Sequence, residues 1–314
     1  MVHPLLRPHA GRLGKYDEQV KTSKLAWQSK LVLLLVLPAT GAELVLEGSW
    51  WANQLPQVAV WTLGLSLLLG LAAWRNRSAT AGAAASGASL CAILMLASTT
   101  LPYAPWRTAL VPVLTVLILT AAATHFGRHR KEQLGTAESR NGRGASQVAA
   151  NLGVAALVSN GMMQVWLLNQ PWLPGLLRSS PLLFVPGLAA LAEAAADTVS
   201  SELGQVWNNH PRMLTTLRRV EPGTDGAISL AGTLAGVAAA GAVAIAGAAS
   251  LNAGWGALGI AWAGGVAGLF IDSLLGATLE RLGWLNNDAV NFLSTASSAA
   301  VALGLMALLL HNAG

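Results

Sequence analysis

The chain is short of charge. Asp, Glu, Lys and Arg make up 11% of its 314 residues, against about 25% in an ordinary soluble domain. Hydrophobic residues reach 54% and mean hydropathy is +0.52. Too little polar surface is available to coat a soluble enzyme of this length. Disorder is excluded as well, because apolar content is high and the net charge is only +5. There is one cysteine, Cys91, so an internal disulfide and a cysteine-cluster metal site are excluded. Residues 1–30 lack a short apolar core and a small-residue cleavage site, so no cleaved signal is expected. What is left is a polytopic, all-α membrane helix bundle.

A membrane-spanning helix needs about 17–25 mostly apolar residues. Nine segments qualify: 31–47, 57–74, 80–98, 107–126, 146–168, 182–203, 229–250, 257–280 and 288–310. The first is the weakest, since Pro38 and Glu43 interrupt it. The apolar runs are too long for a β-barrel and do not alternate. Basic residues then orient the chain. Of the 19 Lys and Arg, all but Arg107 and Arg178 fall in the tail and on one set of alternate loops. Basic residues collect on the cytoplasmic side, which predicts an inside amino terminus, an outside carboxyl terminus and a bacterial inner membrane location. Trp, at 12, outnumbers Phe at 4 and Tyr at 2. Trp50, Trp51, Trp74, Trp106, Trp172, Trp207, Trp255 and Trp284 lie near span ends, as interfacial anchors do.

The parts expected are a basic tail over 1–30, an extra span and loop over 31–56, and a membrane domain over 57–314. Gly232/Gly236 and Gly264/Gly268 stand at i, i+4, a spacing that lets helices approach closely. It serves packing within the chain and is compatible with a homodimer. No internal repeat is visible, and nothing points to nucleic acid.

A carboxylate in the bilayer costs at least about 2.5 kcal/mol on insertion scales and marks a polar interior. The acids in or at the ends of spans are Glu193, Asp197, Glu202, Asp272, Glu280 and Asp288, all in the carboxyl-terminal half. Glu193, Asp197 and Ser201 share one helix face by i+4 steps. Gly264, Gly268, Asp272, Gly276 and Glu280 form a second ridge, with Asp272 about 12 Å from Glu280. Asp288, Asn291, Thr295 and Ser298 step by three and four, and Gln147 and Asn151 lie on the fifth span. The predicted topology brings these groups, with Ser229, to the cytoplasmic third of the membrane, where the two large basic loops also open. Carboxylates beside cations and a glycine turn suggest a Mg²⁺-nucleotide site.

The segment Pro222-Gly223-Thr224-Asp225-Gly226 reads as a turn, and Ser229 as the N-cap of the following helix. Helix N-termini bind phosphate, and Arg218 and Arg219 precede the turn. Alone, the segment is an ordinary turn, and the two arginines follow the basic bias of the loops. His125 and His129 stand at i, i+4, but imidazoles near a helix end more often serve its dipole than a metal. No HExxH and no GxxxxGK[ST] loop is present. The aspartate-rich signature of CDP-alcohol phosphotransferases is missing too.

Several stretches taken together carry a resemblance. They are RSATAGAAA at 77–85, THFGRHRKEQLG at 124–135, GRGASQVAANLGVAAL at 142–157, AAADTVSSELG at 194–204, PRMLTTLRRVEPGTDGAISLAGTLAG at 211–236, DSLLGATLE at 272–280 and LNNDAVNFLS at 285–294. From about residue 57 onward the chain resembles the integral-membrane family that includes phytyl-phosphate kinase of tocopherol synthesis and transmembrane protein nineteen, also called domain of unknown function ninety-two. Val199 stands where that family often has Trp, and Asp225 and Ala227 where Asn and Gly are common. The resemblance implies a CTP-dependent kinase converting a phytyl or geranylgeranyl-type monophosphate to the diphosphate. It places the acidic motif on Asp197 and Glu202, and the glycine loop on Pro222, Gly223, Thr224 and Gly226. Later motifs fall on Asp272, Ser273, Asn287, Asp288 and Asn291, and the basic motif on Arg130 and Lys131.

The expected catalytic residues are thus Asp197, Glu202, Asp272 and Asp288. Mg²⁺ is expected on Asp197, Asp272 and Glu202, with Asp288 as a further ligand; oxygen donors of this kind suit it. Arg218, Arg219 and Lys131 are expected to balance phosphate charge. Arg130, Asn151, Ser201, Gly223, Thr224, Gly226, Ser229, Ser273, Asn287 and Asn291 complete the expected substrate and nucleotide contacts. The partners expected are CTP, an isoprenoid monophosphate and membrane lipid. A transporter or lipid-phosphate flippase would use the same carboxylates for ion coupling, and a scaffold could use the basic tail on anionic lipid.

Overall fold

The computed structural model describes residues 25–139, 141–170, 181–207 and 210–311. The basic tail before residue 25, Trp172 and Arg178 lie outside them. The described chain is almost entirely helical: α1 Ala26–Gln54, α2 Pro56–Arg75, α3 Ala81–Ala97, α4 Leu110–His125, α5 Arg128–Leu134, α6 Ala145–Ser159, α7 Gly161–Leu168, α8 Val185–Trp207, α9 Leu230–Ser250, α10 Gly254–Leu275 and α11 Asn287–His311. Among the described residues six helices are long and apolar enough to cross a membrane, and up to eight spans result if each of two bent pairs counts as one. The bent pairs are α4 with α5, at 64°, and α6 with α7, at 48°. The α3 helix is apolar but shorter, at 17 residues. Every predicted segment therefore coincides with an apolar helix or a bent pair.

Local signals set the boundaries. Pro56 opens α2, where a missing N–H does no harm. Thr80, Asn160 and Ser229 cap α3, α7 and α9 through their side-chain oxygens. Asn286 caps α11 by accepting from Ala289 N at 2.9 Å. Its amide also donates to Leu25 O at 2.9 Å, which ties α11 to the start of α1. Gly127, at φ +62°, turns the chain between α4 and α5.

At the centre lies α8, buried along nearly all its length and packed against α4, α6, α9, α10 and α11. Lipid supplies no hydrophobic drive for helix association, so close contact depends on small side chains. Gly232 and Gly236 of α9 face the Ser200 and Ala196 carbonyls of α8, and Gly268 of α10 lies against Glu193. The i, i+4 glycines thus serve contacts within the chain.

The structure departs from the sequence reading in three places. The α1 helix runs through Pro38 for 29 residues, well beyond 31–47. Its Glu43 is buried and accepts from Gly161 N at 2.7 Å, so the acid serves the break between α6 and α7. Replacing Glu43 with Ala strands that N–H, and we expect a loss of about 1–3 kcal/mol in unfolding free energy, with Glu43→Gln much milder; thermal melts in detergent check both. Second, the span expected to end at Glu280 does so, over Gly254–Glu280, but its last turn changes pitch. Gly276–Glu280 is a π-turn, forced where Gly276 packs on the Gly226 backbone, so Glu280 leaves the i+4 ridge. Third, α8 and α9 are joined by a short antiparallel ribbon, β1 Arg212–Met213 against β2 Ala227–Ile228.

Candidate functional site

Carboxylates from two helices meet at one end of the bundle. Asp197 of α8 lies within hydrogen-bonding reach of Asp272 of α10. One oxygen of Asp272, Oδ2, is buried with no hydrogen-bond partner. Glu193, a turn deeper on α8, is 1% exposed, and its Oε1 also lacks a partner. Ser294 of α11 lies against both Glu193 and Asp272. Glycine makes this approach possible, because a Cβ at Gly268 would stand 2.5 Å from Glu193 Cγ.

Asp197 opens onto a polar pocket of about 130 Å³, lined by Glu138, Arg143, Gln147, Asn151, Asp197, Thr198, Ser201, Glu202, Asn287 and Asn291. Six residues expected from the sequence thus converge: Asn151, Asp197, Ser201, Glu202, Asn287 and Asn291. The i+4 face of α8 accounts for Asp197 and Ser201. Asp272 joins through Asp197 rather than as part of the wall.

Other expected residues lie elsewhere. Lys131 is 1% exposed and donates to Ala123 O at 2.7 Å and Thr124 O at 3.2 Å. It also pairs with Glu202 at 2.6 Å. The ammonium is therefore a buried cap for the end of α4, and Glu202 meets the pocket already carrying a cation. Arg130 donates to Gln205 O at 3.2 Å. Asp288 is buried in the first turn of α11 and does not line the pocket; an acid there complements the helix dipole. Arg218 and Arg219 are exposed on the ribbon segment, where the Arg219 backbone bridges to Arg212. Ser273 Oγ donates to Leu269 O at 3.2 Å.

The glycine loop is explained by packing. Gly223 and Gly226 have φ of +84° and +69°. A Cβ at Gly223 would meet Thr136, and one at Gly226 would run into the Ala277 backbone. Thr224 Oγ1 is turned to Glu221 O at 2.7 Å. Ser229 caps α9, accepting from Gly232 N at 3.1 Å. The loop thus clamps the π-turn below Asp272. His125 and His129 sit on either side of the 64° bend and do not share a helix.

Arg143 was counted only as loop charge, and Glu138 and Thr198 were not singled out. Arg143 is fixed from the backbone: its N–H donates to Ser78 O at 3.0 Å, and its carbonyl accepts from Thr80 N at 3.0 Å. Gly142, at φ +78°, sits so close to Ser78 and Ala79 that only glycine fits. Two of the resembling stretches, 77–85 and 142–157, are thereby stitched together, which no helical periodicity announces. The Arg143 guanidinium faces Asp197 electrostatically.

Comparison with known proteins bears on the same stretches. The model of the integral membrane protein family DUF92 matches residues 64–299. The chain belongs to that family. Among its relatives is the uncharacterized membrane protein MJ0933 of Methanocaldococcus jannaschii, 45% identical over 108 residues, which are 34% of this chain and 45% of that protein. The uncharacterized membrane protein sll0875 of Synechocystis is 33% identical over 204 residues, 64% of this chain and 75% of its own length. Protein VTE6, chloroplastic, of Arabidopsis thaliana is 28% identical over 203 residues, 64% of this chain and 59% of its own. The match thus spans less than half of the first relative. No solved structure matches the chain. The family match takes in the whole pocket, from Glu138 to Asn291, and leaves α1 outside.

Proposed function

We propose that this family member is a membrane phosphotransferase, a CTP-dependent kinase that converts a phytyl or geranylgeranyl-type monophosphate to its diphosphate. The observation that supports it is the Asp197–Asp272 carboxyl pair, open to a polar pocket that also holds Arg143. The donor and acceptor follow the family resemblance to phytyl-phosphate kinase. The bias of basic residues supports a site that faces the cytoplasm.

Mg²⁺ binds through one or two carboxylates, substrate phosphates and several waters rather than in an all-protein cage. Among the described residues no group of three or more His, Cys, Asp or Glu is arranged to hold a metal. Two adjacent carboxyls, one with an unpartnered buried oxygen, fit the smaller requirement. Asp197 and Asp272 would hold the ion, which when bound screens the charge of the nucleotide phosphates. Glu202, already paired with Lys131, bounds the pocket.

The acceptor oxygen belongs to a phosphate monoester and is already anionic. It attacks the γ-phosphorus, the bond from that phosphorus to the β,γ-bridging oxygen breaks, and CDP leaves. No strong base is needed, so positioning and charge stabilisation carry the chemistry. Asn151, Asn287 and Asn291 offer neutral amides for phosphate or nucleotide without adding repulsion.

A ligand that binds only the folded state raises its stability. With Mg²⁺, CTP is expected to raise the melting temperature more than ATP, GTP or UTP. Equal response to all four removes the CTP assignment, and no response to any removes the kinase reading. The buried Oε1 of Glu193, which lacks a hydrogen-bond partner, favours the second reading, a transporter or flippase; nucleotide-independent flipping of a lipid phosphate in proteoliposomes is its signature.

A further inference from the structure

A second cavity adjoins the polar pocket and differs from it in chemistry. It encloses about 260 Å³ between α2, α3, α4, α6 and α8. Its apolar part is lined by residues such as Gly87, Cys91, Val113, Val116 and Leu152. Its mouth carries Arg77, His125, Arg128 and Ser139. Glu138, Arg143 and Asn151 line both cavities, so they form one shared wall. Along α4, from Val113 to His125, the slot runs about 18 Å.

The slot opens sideways. Leu117 of its wall is 38% exposed on the outside of the bundle. The α2 helix packs on α1 and α3, α4 packs on α8 and α9, and α3 meets α4 only sparsely. Beyond the slot, Thr62 of α2 and Tyr103 share a hydrogen bond at 3.1 Å. A hydrocarbon chain in the bilayer can slide in between α2 and α4 while its head group stays at the basic mouth. A slot of this volume suits one chain rather than two. The charge at the mouth selects an anionic head group, and a guanidinium binds phosphate oxygens in pairs.

We propose that this slot holds the chain of a single-chain lipid phosphate, that Arg143 grips the phosphate where the two cavities meet, and that the floor at Cys91, Val113 and Leu152 limits chain length. The proposal deepens the kinase reading by giving its acceptor a site. The shared wall would place the phosphate beside Asp197, on the side from which the nucleotide must be met. The two backbone hydrogen bonds to Ser78 and Thr80 hold Arg143 there before lipid arrives. Arg143 is thus a substrate-binding residue that loop charge alone did not single out.

The test uses the full chain in lipid nanodiscs without nucleotide or metal. The probe is geranylgeranyl phosphate with a diazirine at the chain end. Illumination is expected to place adducts on α3 and α4 around Cys91 and Val113. Unlabelled geranylgeranyl phosphate should displace the probe, while two-chain phosphatidic acid and inorganic phosphate should compete poorly. Arg143→Gln should remove about 10- to 100-fold of the preference for geranylgeranyl phosphate over geranylgeraniol. Cys91→Phe and Val113→Phe, on different helices, should each shift preference from geranylgeranyl to geranyl phosphate by about tenfold or more. Adducts confined to α9–α11, equal competition by phosphatidic acid, or an unchanged phosphate preference in Arg143→Gln would each overturn the proposal. A chain that binds the probe in the slot yet releases no CDP overturns the kinase reading alone. A chain that turns over CTP while the probe attaches elsewhere overturns the slot alone.

Discussion

Asp197→Asn and Asp272→Asn are each expected to lower CDP release from CTP and geranylgeranyl phosphate by about 100-fold or more. The amide keeps the shape of the side chain and removes the charge that a divalent ion needs. The two residues come from different helices, yet their carboxyls reach each other, so either loss should disable the same ion. Apparent affinity for Mg²⁺ should weaken along with turnover, and the melting temperature should not fall. Asp288→Asn serves as the contrast. Asp288 lies off the pocket, so the change should act on α11 through its dipole and not on Mg²⁺ dependence. Wild-type turnover in both Asp197→Asn and Asp272→Asn would remove the carboxyl pair from the mechanism.

The second large effect is on stability. Lys131→Met leaves the Glu202 carboxylate without its cation and two carbonyls at the end of α4 without a donor. Breaking one side of a buried pair typically costs about 3–5 kcal/mol. The double variant Lys131→Met/Glu202→Gln removes the stranded charge and should recover a large part of the loss. Lys131→Arg should not restore it, because a planar fork does not fit a site built around a compact ammonium. Denaturant unfolding in micelles measures all three. A Lys131→Met protein as stable as wild type would mean the pair carries no net stabilisation. If Lys131 acted instead as a free phosphate ligand, its loss would raise the KM for nucleotide while leaving stability unchanged.

The helices were legible in the sequence because lipid admits few alternatives. Backbone polar groups must be satisfied internally, so long apolar runs become helices. Hydropathy is blind to what happens inside a run. Gly127 bends the chain by 64° between two helical segments, and Asn160 caps a new helix within the segment 146–168. Asn160-Gly161 was a readable signal for that second break. The π-turn after Leu275 had none, since it arises from tertiary contact between Gly276 and the Gly226 backbone rather than from local pattern.

Part of the candidate site was legible for a related reason. Asp197 and Ser201 share a face by spacing alone, and acids within spans are conspicuous. Lys131 and Glu202 were conspicuous too, but spacing could not show that they satisfy each other across 71 positions of chain or that Arg143 meets Ser78 and Thr80. Glycines 223 and 226 have the composition of a phosphate loop. Their close approaches to Thr136 and Ala277 show that the same composition also answers a crowding problem.

The bond between Glu43 and Gly161 sets an order of assembly. The two residues are 118 positions apart, so α1 is synthesised long before its acid finds the N–H it serves. During that interval the side chain has no such donor, and α1 is held by its packing on α2 and α3. Biogenesis should therefore leave α1 less firmly docked until α7 emerges, and truncation before residue 161 should yield a first helix whose backbone amides exchange hydrogen faster than in the full chain.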